Sequence, residues 1–437
     1  MANSTQDDLD DQVYTLVTGA NTGLGFSICC RLMDEFLQTA PPTRTLTIIF
    51  TTRSSKKATD TLRRLQSHLT STSTSSTSSH RITLHPETLD LTNLLSTRTL
   101  ARRLSTTIPK LDSIILNAGI GGWTGIDWPA AIWNVLTDLV HTVSWFSHKL
   151  APAGMLAPAQ TTSENEPRLG SIFCANVFGH YMLAHNLMPL LRNTSPASPG
   201  RIIWVSSLEA TIEFLDVRTD LQGLRSRTAY ESSKTLTDVL ALTADLEGPR
   251  KWVRGFCDAE RVDGDVDGPM PNTYLTHPGI CGTGILPLAW PLFYLMLAAF
   301  WMARWLGSPW HTMWTYAGAC APAWLAGSAQ EALDAAEEPY RRSGGGRVKW
   351  GSSTDRLGRD GPASTEILGW GYGGVVGGAV VEADRVRRRK RGMKDLTAEE
   401  RVEFEELGRE SWKQMEELRV LWEGILDREE AKVGVKA

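Results

Sequence analysis

The 437-residue sequence predicts an α/β protein with a doubly wound parallel sheet. Two observations point there: short apolar runs alternate with longer helical patterns, and a glycine-rich turn joins the first run to the first helix. Val13 to Thr18 reads as a buried strand, Thr18-Gly19-Ala20-Asn21-Thr22-Gly23-Leu24-Gly25 as the turn, and Gly25 to Phe36 as an apolar-periodic helix. Thr45 to Thr52 reads as the second strand, and Ile114 to Leu116 and Ile202 to Val205 continue the alternation that parallel βαβ units produce. Tyr316 to Leu325 reads as a helix and Arg347 to Trp350 as a last strand. The boundaries that follow are one α/β domain over 1–355 and a charged, partly helical tail over 356–437.

Composition narrows the function classes. With 45 basic and 49 acidic side chains the net charge is −4, which supplies no global attraction for nucleic acid. The six cysteines have no C-x-x-C spacing and the polar, acidic start MANSTQDDLDDQ has no apolar signal core, so a reduced, cytosol-facing protein is expected. The nine histidines show no H-x-x-x-H or H-E-x-x-H pairing, and no metal is expected.

Three segments stand apart. Thr70 to Ser79 is Ser/Thr-rich and reads as a surface loop. Ile285 to Ala303 holds 19 uncharged residues ended by Arg304, close to the roughly 20 that cross a bilayer. Pro287, Pro291 and a position inside one soluble fold favour monotopic or re-entrant membrane contact over a span, with a buried substrate-pocket helix as the other reading. In the tail, the basic run Arg385 to Lys394 suits either anionic headgroups or a solvated surface. Thr397-x-x-Glu400 is a capping box opening a helix with Phe404, Leu407, Met415, Leu418 and Ile425 on one side.

The chemistry-bearing residues sit at strand ends and on one helix. Gly19, Asn21, Thr22, Gly23, Leu24 and Gly25 form a turn whose backbone can approach a pyrophosphate at a helix N-terminus. The second strand ends in Phe50-Thr51-Thr52-Arg53 rather than in an acid, and a guanidinium there suits a 2′-phosphate, hence NADP(H). Tyr230 and Lys234 form a Y-x-x-x-K pair, on one helix face at i and i+4. The phenol can donate a proton to an alkoxide, and the ammonium is expected to lower its pKa. Ser207 ends the strand from Arg201 and can hold a carbonyl oxygen, with Ser206 as the alternative if the strand ends one residue earlier.

Taken together these residues resemble the short-chain dehydrogenase/reductase family, whose Rossmann-type fold the resemblance implies. The ordered signals are the turn at 18–25, Asp90-Leu91, Asn117-Ala118-Gly119, Asn176-x-x-Gly179, Ser207, Tyr230-x-x-x-Lys234 and Pro278-Gly279-x-x-x-Thr283. The resemblance implies that Asp90 contacts the adenine region, and that Asn117, Ala118 and Gly119 lie along the cofactor. It further implies that Asn176 supports a proton-relay water and that Pro278, Gly279 and Thr283 lie near the nicotinamide or pyrophosphate. Tyr230 is then the acid, Lys234 a ribose ligand and Ser207 the ketone-positioning hydroxyl.

Within that family the chain resembles fungal 3-keto-steroid reductases of ergosterol biosynthesis. The blocks that carry this are Gly125-Ile126-Asp127-Trp128, Ala175 to Gly179, Leu306-Gly307-Ser308-Pro309-Trp310-His311 and Lys349-Trp350-Gly351-Ser352. They imply NADPH-dependent reduction of a C4-demethylated sterol 3-ketone to a 3β-alcohol. They also imply an endoplasmic reticulum membrane or lipid droplet location, a cytosol-facing catalytic domain, and other sterol C4-demethylation enzymes as partners. The chain departs from the wider family at Leu116, where a second Asn is common, and in the 23 positions from Ser207 to Tyr230. The insertion Leu208 to Arg227 is expected to shape substrate entry. Two other readings stay open: a reductase of another apolar ketone (a retinoid or secondary metabolite), or a cofactor-binding scaffold subunit of a membrane sterol-processing complex.

Overall fold

The computed structural model describes residues 11–72, 80–138, 148–258, 268–282, 290–387 and 393–434. The sheet is formed by β1 (Gln12–Val17), β2 (Thr45–Thr52), β3 (Ile82–Thr88), β4 (Ser113–Leu116), β7 (Arg201–Val205), β8 (Asn272–His277), β9 (Lys349–Thr354) and β10 (Asp360–Ser364). A separate two-stranded ribbon pairs β5 (Gly125–Ile126) with β6 (Lys149–Leu150). The main order is β10-β9-β8-β7-β4-β1-β2-β3, parallel throughout except for β10. Strand order reverses between β1 and β4, so a crevice opens at their carboxyl ends.

Period-2 alternation sends neighbouring residues to opposite faces of this sheet. Leu16, Ile49, Ile114, Ile202 and Trp204 join one core, whereas Val17, Ile48, Ile115, Ile203 and Val205 join the other. The helices divide accordingly. Leu32 and Met33 of α1 (Gly23–Thr39), Leu65 and Leu69 of α2 (Ser55–Thr72), Leu325 of α8 (Cys320–Gly327) and Leu333 of α9 (Gln330–Arg342) pack on the second face. Leu100 of α3 (Leu94–Thr107), Tyr181 of α5 (Gly179–Asn186) and Leu240 of α6 (Ala229–Thr243) pack on the first, with Trp412 and Trp422 of α10 (Ala398–Gly434). Two further helices, α4 (Trp128–Thr137) and α7 (Trp290–Trp305), lie outside both cores.

The C-terminal region differs from the sequence expectation. Residues 360–364 add the antiparallel edge strand β10 to the main sheet, and Trp370, Phe404, Trp412, Met415, Trp422 and Leu426 complete its first core. The boundary at 355/356 therefore divides a single packed unit, because apolar residues spaced along one helix face need a partner surface that sequence does not name. The capping box forms as read: Thr397 N donates to the Glu400 carboxylate at 2.9 Å and Glu400 N to the Thr397 hydroxyl at 3.1 Å. Of the basic run, 388–392 lie outside the described residues, and Arg385 and Arg387 are bonded to Ala379 O and Asp384. Thr70 to Thr72 close α2 instead of belonging to a loop, and 73–79 lie outside the described residues. The helix read over Tyr316 to Leu325 is two helices, Thr315–Gly318 and α8.

Of the apolar segment, 285–289 lie outside the described residues and the remainder begins α7, a 16-residue helix with no buried residue. Among the described residues no helix is long and apolar enough to cross a membrane.

Candidate active site

The glycine turn leaves β1 at the sheet's reversal point. Gly19 has φ +70°, and a Cβ there would lie 2.8 Å from the Ala118 Cβ. A Cβ on Gly25 would lie 2.3 Å from Gly19 O and 2.6 Å from Asn117 Nδ2, so α1 can begin this close to the turn only without a side chain at that position. Thr22 caps α1 with no side-chain hydrogen bond, and the first turn holds no acid. Its leading N–H groups are thus left by side chains for an anion, and Asn21 to Gly25 line a cavity of about 1250 Å³. Arg53 stands exposed on the rim of the same cavity, after Thr51 and Thr52.

Several expected cofactor residues do structural work as well. The Asn117 side chain donates to Thr18 O at 2.9 Å, while the Thr18 hydroxyl accepts from Asn117 N and Ala118 N at 2.9 and 3.0 Å. Thr18, which the sequence reading passed over as a contact, is thus the hub that joins the ends of β1 and β4, and its hydroxyl also meets His180 Nε2 at 2.9 Å. Asp90 lines the cavity but uses one carboxylate oxygen to accept from Thr92 N and Oγ1. Pro278, Gly279, Asn117, Ala118 and Gly119 line the cavity; Thr283 lies outside the described residues. The turn, the rim cation and the clustered strand ends fit a dinucleotide.

Asn176 sits in a π-helical turn, Cys174–Phe178, which runs into α5. Its carboxamide accepts from Ile120 N at 2.8 Å and donates to Ile120 O and the Ser233 hydroxyl at 3.0 Å each. It braces the loop after Gly119 from behind, and its neighbour Ala175, not Asn176, lines the cavity.

The two serines at the end of β7 separate cleanly. Ser206 donates to the buried carboxylate of Asp238, whereas the Ser207 hydroxyl accepts from Glu209 N at 3.1 Å and lies near enough to the Tyr230 phenol to lower its pKa. Both serines line the cavity, but only Ser206 has its hydroxyl engaged by a buried carboxylate. On α6, Tyr230 and Lys234 both face the cavity, with Lys234 Nζ 5.9 Å from the Tyr230 ring centroid and donating to Val205 O at 2.8 Å.

The electrostatics reverse one expectation. Burial, followed by the Glu209 charge, pushes the Tyr230 phenol up, and the nearby Ser207 hydroxyl only partly opposes this. Burial also lowers Lys234 to about 8, with the Lys349 cation adding to the effect and Asp238 opposing it. The phenol is protonated at neutral pH, as an unperturbed phenol also is, and desolvation of the phenolate makes its ionisation harder still.

Several contributors went unread. Lys149 of β6, nearly buried, is ion-paired with Glu209 and lies 4.3 Å from the Trp123 ring centroid, and Trp123 packs edge-on to Tyr230 at 4.9 Å. Of the insertion, Leu208 and Glu209 line the cavity. The later Ile212 packs toward the first core, so only the insertion's start reaches the site. Beyond Tyr230 the wall is apolar: Ile126 before α4, Trp128 at its start, and Leu295, Met296, Ala299 and Phe300 of α7. The Gly125-Ile126-Asp127-Trp128 block was a usable signal for this wall, since Asp127 also caps α4 by accepting from Ala130 N at 3.2 Å. Nothing local marked Lys149.

A polar turn, an acid with a neighbouring hydroxyl, and an apolar recess thus share one cavity. Its volume exceeds the roughly 300–1,000 Å³ usual for one ligand, so it has room for two. Such an arrangement can reduce an apolar ketone.

Comparison with known proteins agrees. No family model matches the chain. It is 62% identical to a 3-keto-steroid reductase of Aspergillus fumigatus over 99% of each chain, and 39% identical to one of Gibberella zeae over 95% of each. A 3-keto-steroid reductase of Schizosaccharomyces pombe is 33% identical over 81% of this chain and 90% of its own. Among solved structures, salutaridine reductase from Papaver somniferum aligns over 62% of this chain and 88% of its own, at 17% identity and a TM-score of 0.38. On the strength of the end-to-end sequence identity, the chain belongs to the 3-keto-steroid reductase family.

Proposed function

We propose that the protein reduces the 3-keto group of a C4-demethylated sterol intermediate to the 3β-alcohol, with NADPH, in ergosterol biosynthesis. The observation that carries this is the single cavity joining the Gly19–Gly25 turn, the Ser207/Tyr230/Lys234 cluster and the apolar recess of α4 and α7. When bound, the nicotinamide supplies a hydride to the carbonyl carbon. Ser207 holds the carbonyl oxygen against Tyr230, and the protonated Tyr230 donates its proton to that oxygen as charge develops there. Lys234, charged below about pH 8, would hold the cofactor's ribose. Arg53 favours NADPH over NADH by meeting the 2′-phosphate at the rim.

The same reading puts the protein against the endoplasmic reticulum membrane or a lipid droplet, catalytic domain toward the cytosol and near other C4-demethylation enzymes. What supports this is the exposure of Trp290, Tyr294, Leu295, Trp301 and Trp305 on α7 and of Ile132, Trp133 and Leu136 on α4, beside the cavity. Apolar helices with Trp and Tyr at their surfaces suit an interface, and a sterol partitions into the phase they would touch.

The test follows NADPH oxidation by purified protein with a 4-methyl-3-ketosterol in detergent, beside a retinal and a small aromatic ketone. Turnover of the sterol alone, lost in Tyr230→Phe, is the expected result. Turnover of the other ketones alone would keep the mechanism and discard the sterol assignment.

A further inference from the structure

Helix α6 continues its functional face one turn past the Y-x-x-x-K pair. Asp238 follows Lys234 at i+4, and it is 2% exposed, as is Lys349 of β9. Lys349 Nζ donates to the Asp238 carboxylate at 2.5 Å and to the main-chain carbonyl of Ser207 at 2.7 Å, and lies 3.4 Å from the Ser206 hydroxyl. Ser206 in turn donates to the other oxygen of Asp238. One buried cation and one buried carboxylate thus grip both residues at the end of β7, beside the Ser207 hydroxyl that lies near the Tyr230 phenol.

A buried ion pair is a poor device for stability alone. Desolvating both charges costs several kcal/mol per ion, and apolar residues of similar volume often serve as well or better. What apolar residues cannot do is donate to the Ser207 carbonyl and engage the Ser206 hydroxyl. We propose that the Lys349–Asp238 pair is a positioning device: by holding Ser207 O and the Ser206 hydroxyl, it keeps the Ser207 hydroxyl aimed at the Tyr230 phenol. The inference rests on the catalytic reading above. It also accounts for part of the Lys349-Trp350-Gly351-Ser352 block, whose first residue reaches the active site from a strand that contributes no catalytic group.

The pair has an electrostatic side too. Charged or titratable groups facing Lys349 are Asp238 and Lys234 on α6 and His277 on β8. Its cation adds to the burial that brings Lys234 to about 8.

The experiment compares Lys349→Met, Asp238→Asn and the double variant Lys349→Met/Asp238→Leu with the parent chain, in NADPH oxidation with a 3-ketosterol and in thermal unfolding. Lys349→Met leaves the carboxylate buried without its partner and loses both stability and turnover. The double variant leaves neither charge unpaired and recovers the melting temperature. Its kcat nevertheless falls by about 30-fold or more at a KM within about twofold, since misplacing a reacting group by an ångström costs on the order of a hundredfold. A folded double variant with parental kcat would overturn the proposal, the pair then being structural. Should the double variant fail to fold, Asp238→Asn decides: it keeps the shape and an acceptor for Ser206 but removes the counter-charge, and an unchanged kcat there overturns the proposal equally. Tyr230→Phe, run in parallel, separates the two failures. If it still turns over, the catalytic reading itself is wrong; if it is inactive beside a fully active double variant, only the positioning role falls.

Discussion

The two walls of the cavity are built on opposite principles. On the wall formed by α6 and the end of β7, every residue of α6 except Glu231 is buried, and Ser206, Ser207, Lys234, Asp238 and Lys349 bond one another. The opposite wall, α4 and α7, contributes one buried residue, Ala131, and exposes Trp133, Leu136, Trp290, Leu295 and Trp301. Chemistry needs atoms held to fractions of an ångström, which demands the rigid core. Large apolar side chains left exposed beside a cavity instead mark a surface able to meet another apolar phase. On the proposed function, that difference separates turnover from capture.

The largest effect expected on this division is at Tyr230. Tyr230→Phe should lower kcat by about 10²–10⁴-fold while leaving the melting temperature near the parent's; a drop below tenfold would take the acid role away from it. Close behind in energy is the core that supports the catalytic wall. Trp412 packs on Tyr181 and Phe256 and donates to Leu240 O of α6 at 3.1 Å. Trp412→Ala should therefore cost about 3–5 kcal/mol in denaturant unfolding. A loss under about 1 kcal/mol would return α10 to the status of a loosely attached tail.

At the rim, Arg53→Asp should weaken NADPH binding by about 10- to 100-fold, the worth of one or two charge-assisted hydrogen bonds, with NADH little changed in the same titration. Equal losses for both would remove Arg53 from cofactor choice. On the apolar wall, Leu295→Glu with Trp301→Glu should raise the KM for a sterol ketone in vesicles by about tenfold. It should leave unfolding within about 0.5 kcal/mol, as for surface changes generally. A fall in kcat at unchanged KM would show that the two walls are not separable.

The smallest effect is the pH dependence. Lys234 is brought down to about 8 chiefly by burial, so its ammonium is present below that pH and lost above it. The rate should decline as pH rises through about 8, and a rate flat to pH 10 would contradict the need for a charged Lys234.

Local spacing made much of this legible. The turn at 18–25 and the Tyr230/Lys234 pair are read directly because the residues that act together lie within one turn of chain or helix. Thr397 and Glu400 were readable for the same reason. Partners distant in sequence were not: Lys349 meets Asp238 across 111 positions, and Lys149 meets Glu209 across 60. No local pattern distinguishes such lysines from solvated ones. Asn176 shows an intermediate case, since its place in the motif was evident but its bracing of Ile120 depends on how the π-helical turn meets the loop after Gly119.

By itself, then, the sequence determined the parallel sheet, the glycine-rich turn after its first strand, the Tyr230/Lys234 pair on one helix face, and the family. These rest on the periods of strand and helix and on backbone geometry that only particular residues permit. Tertiary structure alone decided that the Ser206 hydroxyl is engaged by Asp238 and that burial raises the pKa of the Tyr230 phenol rather than lowering it. It also decided that residues 360–434 complete the core. Each depends on which surfaces exclude water from which groups, and desolvation is a property of the packed chain, not of any segment of it.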